Sequence, residues 1–362
     1  MMTGIQGIGS VLVGIVLGVS GGLPAGRISR PVARVLEVRG SIRAERADSA
    51  DRELAVFGTV YEGERLVLAA DSWLVLAFRA EGRLERIAGP AEVTVGVGGC
   101  VPEELVQPRA LARDGGRPVQ AAVQQLPPVT RGGATIVRSR PGETGRPPDL
   151  PPGVLGLPRP WFEPVPQTIV LAVRPVFDWQ TLPGATGYVV CVADEAGELW
   201  STQVAQPPVE YGGTQPLEPG QRYTWWVRVS EGPDQPGRRW GEARFTVAGG
   251  EQRALAEELQ AWTAESQPGY LALAALWFQQ EQLVGEAIQA ARRLAELDPE
   301  QAEYHRLLAQ LYQRAGRSDR ADAARQRVRA LTDKSEEAET GTRREELLRR
   351  LLPPDSKSWS RP

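Results

Sequence analysis

The sequence predicts a multidomain protein in which two all-β modules precede an all-α helical-repeat module. Short segments of alternating apolar and polar residues, separated by glycines, recur in residues 31–101 and again in residues 167–248. From residue 251 the apolar period changes to 3.6, and a repeat with an offset of 34 residues runs to about residue 334. Residues 102–166, between the β modules, are rich in proline, glycine and arginine, as is typical of a linker.

Composition agrees with several small folded units. A chain of 362 residues is too long for one ordinary core. It contains 39 glycines and 30 prolines with only 41% hydrophobic residues, which predicts compact modules joined by irregular chain. The net charge of −3 gives no general attraction to nucleic acid, so no nucleic-acid partner is expected. Cys100 and Cys191 lie in different modules, and we expect two unpaired thiols.

The amino terminus carries an uncharged apolar run, Ile5–Leu23, followed by small residues. Residues 1–26 are therefore predicted to be a signal peptide or a membrane anchor, and both alternatives stay open. We expect the body of the protein to be extracytoplasmic, in the periplasm or at the cell surface. Basic residues begin at Arg27, after the run. This placement would favour the inverted orientation, in which the N-terminus lies outside the membrane and the body of the protein lies in the cytoplasm.

Residues 31–101 are expected to form a small β barrel, sandwich or roll. Its predicted strands are Leu36–Glu45, Val56–Val60, Glu64–Leu68, Trp73–Phe78, Leu84–Ile87 and Ala91–Val97. The module resembles the FecR domain family, on the residues Val38-x-Gly40, Gly58, Gly63-Glu64, Leu74-x-Leu76-x-Phe78 and Ile87-x-x-Pro90-x-x-Val93. The resemblance implies an extracytoplasmic β domain. Signalling members carry a cytoplasmic region before the membrane span, whereas only four residues precede Ile5, so we expect no direct transcriptional role.

The second β module contains the pattern Leu217-x-Pro219-Gly220-x-x-Tyr223-x-x-x-Val227. It matches the tyrosine corner of immunoglobulin-like sandwiches, in which the tyrosine hydroxyl bonds back across the turn before its strand. Residues 167–248 thus resemble a fibronectin type III domain. We expect Trp179 in its core. Three further tryptophans, if exposed, would form a platform for carbohydrate; packing within the sandwich is the alternative for Trp200, Trp226 and Trp240.

Two helix pairs are predicted in residues 251–334, because Leu273 matches Leu307 and Phe278 matches Tyr312 at the 34-residue offset. This spacing resembles tetratricopeptide repeats, in which the first helix of each pair lines a concave groove that binds extended peptides. The resemblance places eight residues on such a groove: Leu276, Gln279, Gln280, Glu303, Arg306, Gln310, Gln313 and Arg314. Solvated helix faces are the alternative. Residues 335–362 are predicted to be a polar tail with a short helix at Arg343–Leu352.

Residues suited to catalysis are scarce. His305 is the only histidine, and acidic pairs such as Glu103-Glu104 lie in polar sequence where solvated charge is the usual state. No nucleotide, zinc or haem motif is present, so we expect no enzymatic activity, cofactor or metal. We expect a scaffold or adaptor in the bacterial cell envelope that binds a protein or peptide through the helical repeats. A sensor or accessory subunit of an envelope signalling or transport system is the alternative, and a cell-wall glycan binder is a weaker one. Contact with a membrane is expected only through an N-terminal anchor.

Overall fold

A computed structural model describes residues 30–46, 49–108, 116–126, 160–230, 239–264 and 267–351. The predicted signal peptide or anchor (1–26), much of the predicted linker and the last residues of the predicted tail lie outside the described residues. Within them, β-sheets come first and a helical region follows, as the sequence predicts. No described helix combines the length and the apolar character needed to cross a membrane.

The first β unit consists of two five-stranded sheets. Its strands are β1 (Pro31–Arg39), β2 (Ile42–Arg46), β3 (Ser49–Glu53), β4 (Thr59–Tyr61), β5 (Arg65–Leu68), β6 (Trp73–Phe78), β7 (Arg83–Ala88), β8 (Ala91–Val95), β9 (Cys100–Val101) and β10 (Val106–Pro108). The strand orders are β10-β7-β6-β1-β4 and β3-β2-β5-β8-β9. The predicted strand Leu36–Glu45 is divided between the two sheets, because Gly40 adopts φ +75° and a Cβ there would lie 2.7 Å from the Ser72 Cβ.

The second β unit is a sandwich of a three-stranded and a five-stranded sheet. Its strands are β11 (Phe162–Glu163), β12 (Thr168–Val170), β13 (Val176–Trp179), β14 (Tyr188–Ala193), β15 (Glu198–Val204), β16 (Val209–Glu210), β17 (Arg222–Val229) and β18 (Arg239–Val247). The strand orders are β11-β13-β16 and β12-β18-β17-β14-β15. The tyrosine corner is confirmed, since the Glu218 N–H donates to the Tyr223 hydroxyl at 2.8 Å. Trp179 is buried in the core as predicted.

Six helices are described: α1 (Gly116–Gln125), α2 (Gly250–Thr263), α3 (Pro268–Gln280), α4 (Val284–Leu297), α5 (Ala302–Arg314) and α6 (Ser318–Leu351). Both ends of α5 and the start of α6 lie 34 residues after those of α3 and α4, which confirms the predicted offset. Helix α6 continues through the predicted polar tail to Leu351. The residues from 335 to 351 are mostly strong helix formers without proline, so nothing ends the helix earlier.

The predicted linker also contains ordered elements. Strand β10 pairs with β7 and extends the first sheet, and β11 already belongs to the sandwich. Helix α1 packs against β6, β7 and α3. Its apolar residues Ala122, Val123 and Leu126 are buried there. This part of the chain is ordered because it covers an apolar sheet face, which the low apolar content of the whole segment did not indicate.

The helical unit lies between the two β units. Helix α3 packs against β1 of the first unit, and α4 packs against β12 of the sandwich. As a result, β1 and β6 are buried on both faces. Val35 and Leu76 lie in the core between the two sheets, whereas Leu36 and Ala77 pack into the core of the helical unit.

Candidate protein-binding surface of the helical unit

The eight predicted groove residues fall into two groups. On α3, Leu276 is only 6% exposed and belongs to the hydrophobic core. Gln279 and Gln280 on the same helix are half-buried. On α5, Glu303 is half-buried and the remaining four are exposed: Arg306, Gln310, Gln313 and Arg314. The structure therefore leaves an accessible surface on α5 and closes the corresponding surface on α3.

The side chains at equivalent positions explain this difference. Glu303, Arg306 and Gln310 of α5 correspond, 34 residues earlier, to Gly269, Ala272 and Leu276 of α3. Small and apolar residues thus replace charged and polar ones along the face that the resemblance assigns to the groove. Gly269, Ala272 and Leu276 are all buried. We call the face formed by these equivalent positions the groove face.

The first β unit covers the start of the groove face on α3. The Gly269 N–H donates to Glu37 Oε2 at 3.1 Å, and Glu37 Oε1 accepts a hydrogen bond from Trp73 Nε1 at 2.7 Å. Gln267, the residue before α3, provides no side-chain cap. Because a helix N-terminus favours negative charge, the Glu37 carboxylate stabilises α3 from another unit of the chain.

A second contact joins the first β unit to the start of α5. The Phe57 and Tyr304 rings meet edge-on, with centroids 6.1 Å apart and planes at 62°. Tyr304 is only 3% exposed. Burial raises the pKa of its hydroxyl, and the negative charges of Glu37, Asp298 and Glu303 raise it further, so the phenol stays neutral.

Helix α1 covers a further part of α3. Trp277 Nε1 donates to Gln125 Oε1 at 2.7 Å. The residues from Leu271 to Phe278 are all buried, which is the behaviour of a helix that is apolar on every side. Sequence reasoning missed this enclosure, although the uninterrupted run Leu271–Phe278 was the signal that could have found it.

The sandwich is fixed to the opposite side of the helical unit. The Arg317 guanidinium, at the turn before α6, pairs with Glu163, lies 3.8 Å from Asp178 Oδ2 and stacks over Trp161 at 4.2 Å. The Ile169 N–H donates to the Gln282 carbonyl at 3.0 Å. Backbone and side-chain contacts therefore hold both β units against the helical unit, on different helices.

Three of the four exposed side chains lie on successive turns of α5: Arg306, Gln310 and Gln313, which we call the α5 stripe. Arg306 pairs with Glu303, and Arg325 of α6 donates to Gln313 Oε1. Amide groups can donate to and accept from an extended peptide backbone, and a guanidinium group can donate to it. The α5 stripe is thus the accessible part of the groove face.

The residues with the greatest chemical reactivity have structural environments. Cys100 and Cys191 are free and buried, and burial raises the pKa of both thiols, so neither is an activated nucleophile. His305 Nε2 lies 3.0 Å from the Pro299 carbonyl oxygen. The residues that the structure describes contain no cluster of side chains suited to a metal ion.

The tryptophans considered as a carbohydrate platform pack within the sandwich. Trp226 is 9% exposed, with Arg239 4.8 Å above its ring. Trp200 contacts the core rings of Phe177 and Tyr211, and Trp240 Nε1 donates to a backbone carbonyl. All three pack against other side chains of the sandwich, with Trp200 and Trp240 half-buried, as in the alternative of packing within the sandwich.

Comparison with known proteins yields little. No family model matches the chain, and no curated protein matches it in sequence. Among solved structures, a fibronectin type III domain of human collagen alpha-1(XX) chain is similar at 25% identity and a TM-score of 0.20. The similarity covers 27% of this chain and 95% of that domain.

Proposed function

We propose that the protein is a non-enzymatic, extracytoplasmic scaffold or adaptor that mediates protein–protein contacts in the bacterial cell envelope. The observation that supports this function is the asymmetry of the groove face. The α3 half binds the chain's own first β unit, and the α5 half presents the polar α5 stripe to solvent. A helical unit that joins two β units and keeps one polar helix face open is suited to holding a partner in a fixed orientation.

The module identities are part of this proposal. The first unit is a FecR-like β domain, supported by the glycine turns at Gly40 and Gly63, both of which adopt positive φ. The second is a fibronectin type III-like sandwich, supported by the Tyr223 corner and the three-plus-five strand arrangement. The third is a pair of tetratricopeptide-like repeats, supported by the 34-residue offset between the helix pairs.

The extracytoplasmic location is proposed from the apolar run Ile5–Leu23. Alkaline phosphatase fused after Leu331 should be active in cells, because that reporter folds only in an oxidising compartment. Because Leu331 is buried in α6, a second fusion should place the phosphatase after Leu351, at the end of that helix. Inactive phosphatase in both versions, together with activity of a cytoplasmic reporter, would support the inverted orientation and contradict the proposal.

Photocrosslinking in intact cells tests the scaffold function itself. A photoreactive amino acid is placed at Gln310 or Gln313 of the α5 stripe, and at the exposed Gln326 of α6 as a control. We expect the same discrete protein adduct from both α5 positions and a weaker one from Gln326. Equal adducts from all three positions would mean that the α5 stripe is not the contact. A transporter or signalling subunit in the adduct would favour the alternative function, an accessory subunit of such a system.

A further inference from the structure

A cleft of about 420 Å³ opens at one end of the sandwich, and all of its lining residues belong to that unit. It lies between the turn that joins β14 to β15 and the loop that leads into β17. Its walls include the apolar side chains of Leu199, Pro216 and Leu217. Leu199 is 46% exposed, whereas Leu217 is buried. The cleft therefore has one apolar wall that is open to solvent and one that belongs to the sandwich core.

The rim of the cleft is acidic. Asp194, Glu195 and Glu218 line it, and Arg222 is the only basic residue among the lining side chains. Asp194 Oδ1 accepts hydrogen bonds from the N–H groups of the following turn, at 2.7 and 3.0 Å, which fixes its carboxylate at the rim. Glu195 and Glu218 form no ion pair with any residue that the structure describes. Acidic side chains therefore outnumber basic ones along the cleft.

A second and independent feature is the hydroxyl of Tyr211, which also lines the cleft. Tyr211 is only 4% exposed, and its ring packs edge-on against Trp200 at 5.2 Å. The hydroxyls of Tyr188 and Tyr223 in the same sandwich each accept a backbone N–H at 2.8 Å. The Tyr211 hydroxyl makes no hydrogen bond within the described part of the chain. The Tyr211 oxygen is therefore available to a ligand in the cleft.

We propose that this cleft binds the side chain of a lysine or arginine from a partner protein. The aliphatic stem contacts Leu199 and Leu217, while the cationic head pairs with Glu218 and Asp194 and donates to the Tyr211 oxygen. Burial raises the pKa of the Tyr211 hydroxyl, so the phenol stays neutral and its oxygen is free to accept. The inference rests on the proposed scaffold function only for the source of the basic side chain.

Fluorine NMR of the full chain labelled with 3-fluorotyrosine tests the cleft directly. Tyr211→Phe identifies the Tyr211 resonance. The probes are a blocked pentapeptide, Thr-Val-Arg-Val-Thr, and its twin with citrulline in place of arginine, which has the same shape without the charge. We expect the arginine peptide to shift the Tyr211 resonance to saturation and the citrulline peptide to bind at least about threefold more weakly.

Two variants, each of which removes one negative charge, complete the test. Glu218→Gln should weaken binding of the arginine peptide about threefold, and Glu62→Gln, an exposed position in the first β unit, should leave it unchanged. Equal binding of both peptides, or no effect of Glu218→Gln, would overturn the proposal. Tighter binding of spermidine than of the peptide would assign the cleft to free polyamines and contradict a protein partner. The crosslinking at the α5 stripe is independent of all these outcomes.

Discussion

The two helix pairs have equivalent helix positions, 34 residues apart, but the first pair is enclosed by the β units and the second is exposed at the equivalent positions. In the first pair, Glu286 is half-buried on α4, which packs against β12 of the sandwich, and the groove face of α3 lies under the first β unit. In the second pair, the equivalents of Glu286 and Leu276 are Arg320 and Gln310, both exposed. The comparison shows that the 34-residue repeat determines the helices, whereas a few side chains determine whether a helix is enclosed or accessible.

Substitution at equivalent groove positions should give the largest difference between the pairs. Leu276→Ala removes a buried side chain and leaves a cavity, so we expect a loss of about 3 kcal/mol in the free energy of unfolding. Gln310→Ala, 34 residues later and exposed, should change it by less than about 0.5 kcal/mol. Urea denaturation followed by circular dichroism measures both. Similar small losses for the two variants would show that the groove face of α3 is not enclosed.

The coupling energy between the first β unit and α5 should be smaller than the effect of Leu276→Ala but still measurable. A double-mutant cycle of Phe57→Leu and Tyr304→Leu isolates the ring contact between the first β unit and α5. We expect a coupling energy of about 1 kcal/mol, because edge-on aromatic pairs contribute roughly that much beyond burial. The same cycle between Phe57 and the half-buried His305, the next residue along α5, should give additive effects. If the effects of Phe57→Leu and Tyr304→Leu on the free energy of unfolding are also additive, the first β unit and α5 do not meet at these rings.

The smallest expected effect concerns the pH dependence of stability. Burial raises the pKa of Glu286 above its ordinary value of 4.5, more than the hydrogen bonds from its own N–H and that of Leu171 lower it. The folded state then binds this proton more tightly than the unfolded state. Its contribution to stability is present below pH 4.5 and is lost as the pH rises through the folded-state pKa.

Glu286→Gln removes this titration. The variant should therefore be more stable than the wild type at pH 7, and the difference should shrink towards pH 4. Arg320→Gln is the matched control, because the Arg320 side chain is exposed at the equivalent position. Denaturation midpoints at the two pH values measure the effect. A Gln variant that is less stable at pH 7 would mean that the ionised carboxylate of Glu286 is favoured in place.

Local sequence patterns predict much of the fold. The tyrosine corner at Tyr223 and the repeat of α3 in α5 both depend on residues close together in the chain. Strand β6 is also predicted with its observed bounds, Trp73–Phe78. In each case, the spacing of residues within one segment is enough to predict the element. The apolar period is visible whatever the segment packs against.

The enclosure of α3 depends on contacts that are distant in sequence. Glu37 and Gly269 are 232 residues apart, and Gln125 and Trp277 are 152 apart. No spacing rule within a segment reports such pairs. The lack of a hydrogen bond at the Tyr211 hydroxyl could not be predicted either, because Tyr211 lies in no sequence motif like that of Tyr223. The groove prediction, made from spacing alone, therefore could not show that the groove face of α3 is covered.

Cysteine accessibility at one pair of equivalent positions tests this enclosure most directly. Ala272 on α3 is fully buried, and Arg306, 34 residues later on α5, is exposed. The wild-type chain is the background control, because Cys100 and Cys191 are both buried. If the first β unit covers the groove face of α3, the thiol of Arg306→Cys reacts with a maleimide in the native protein. The thiol of Ala272→Cys is then expected to react only after denaturation. Rapid native labelling of Ala272→Cys, at the rate seen for Arg306→Cys, would show an open groove and contradict the account.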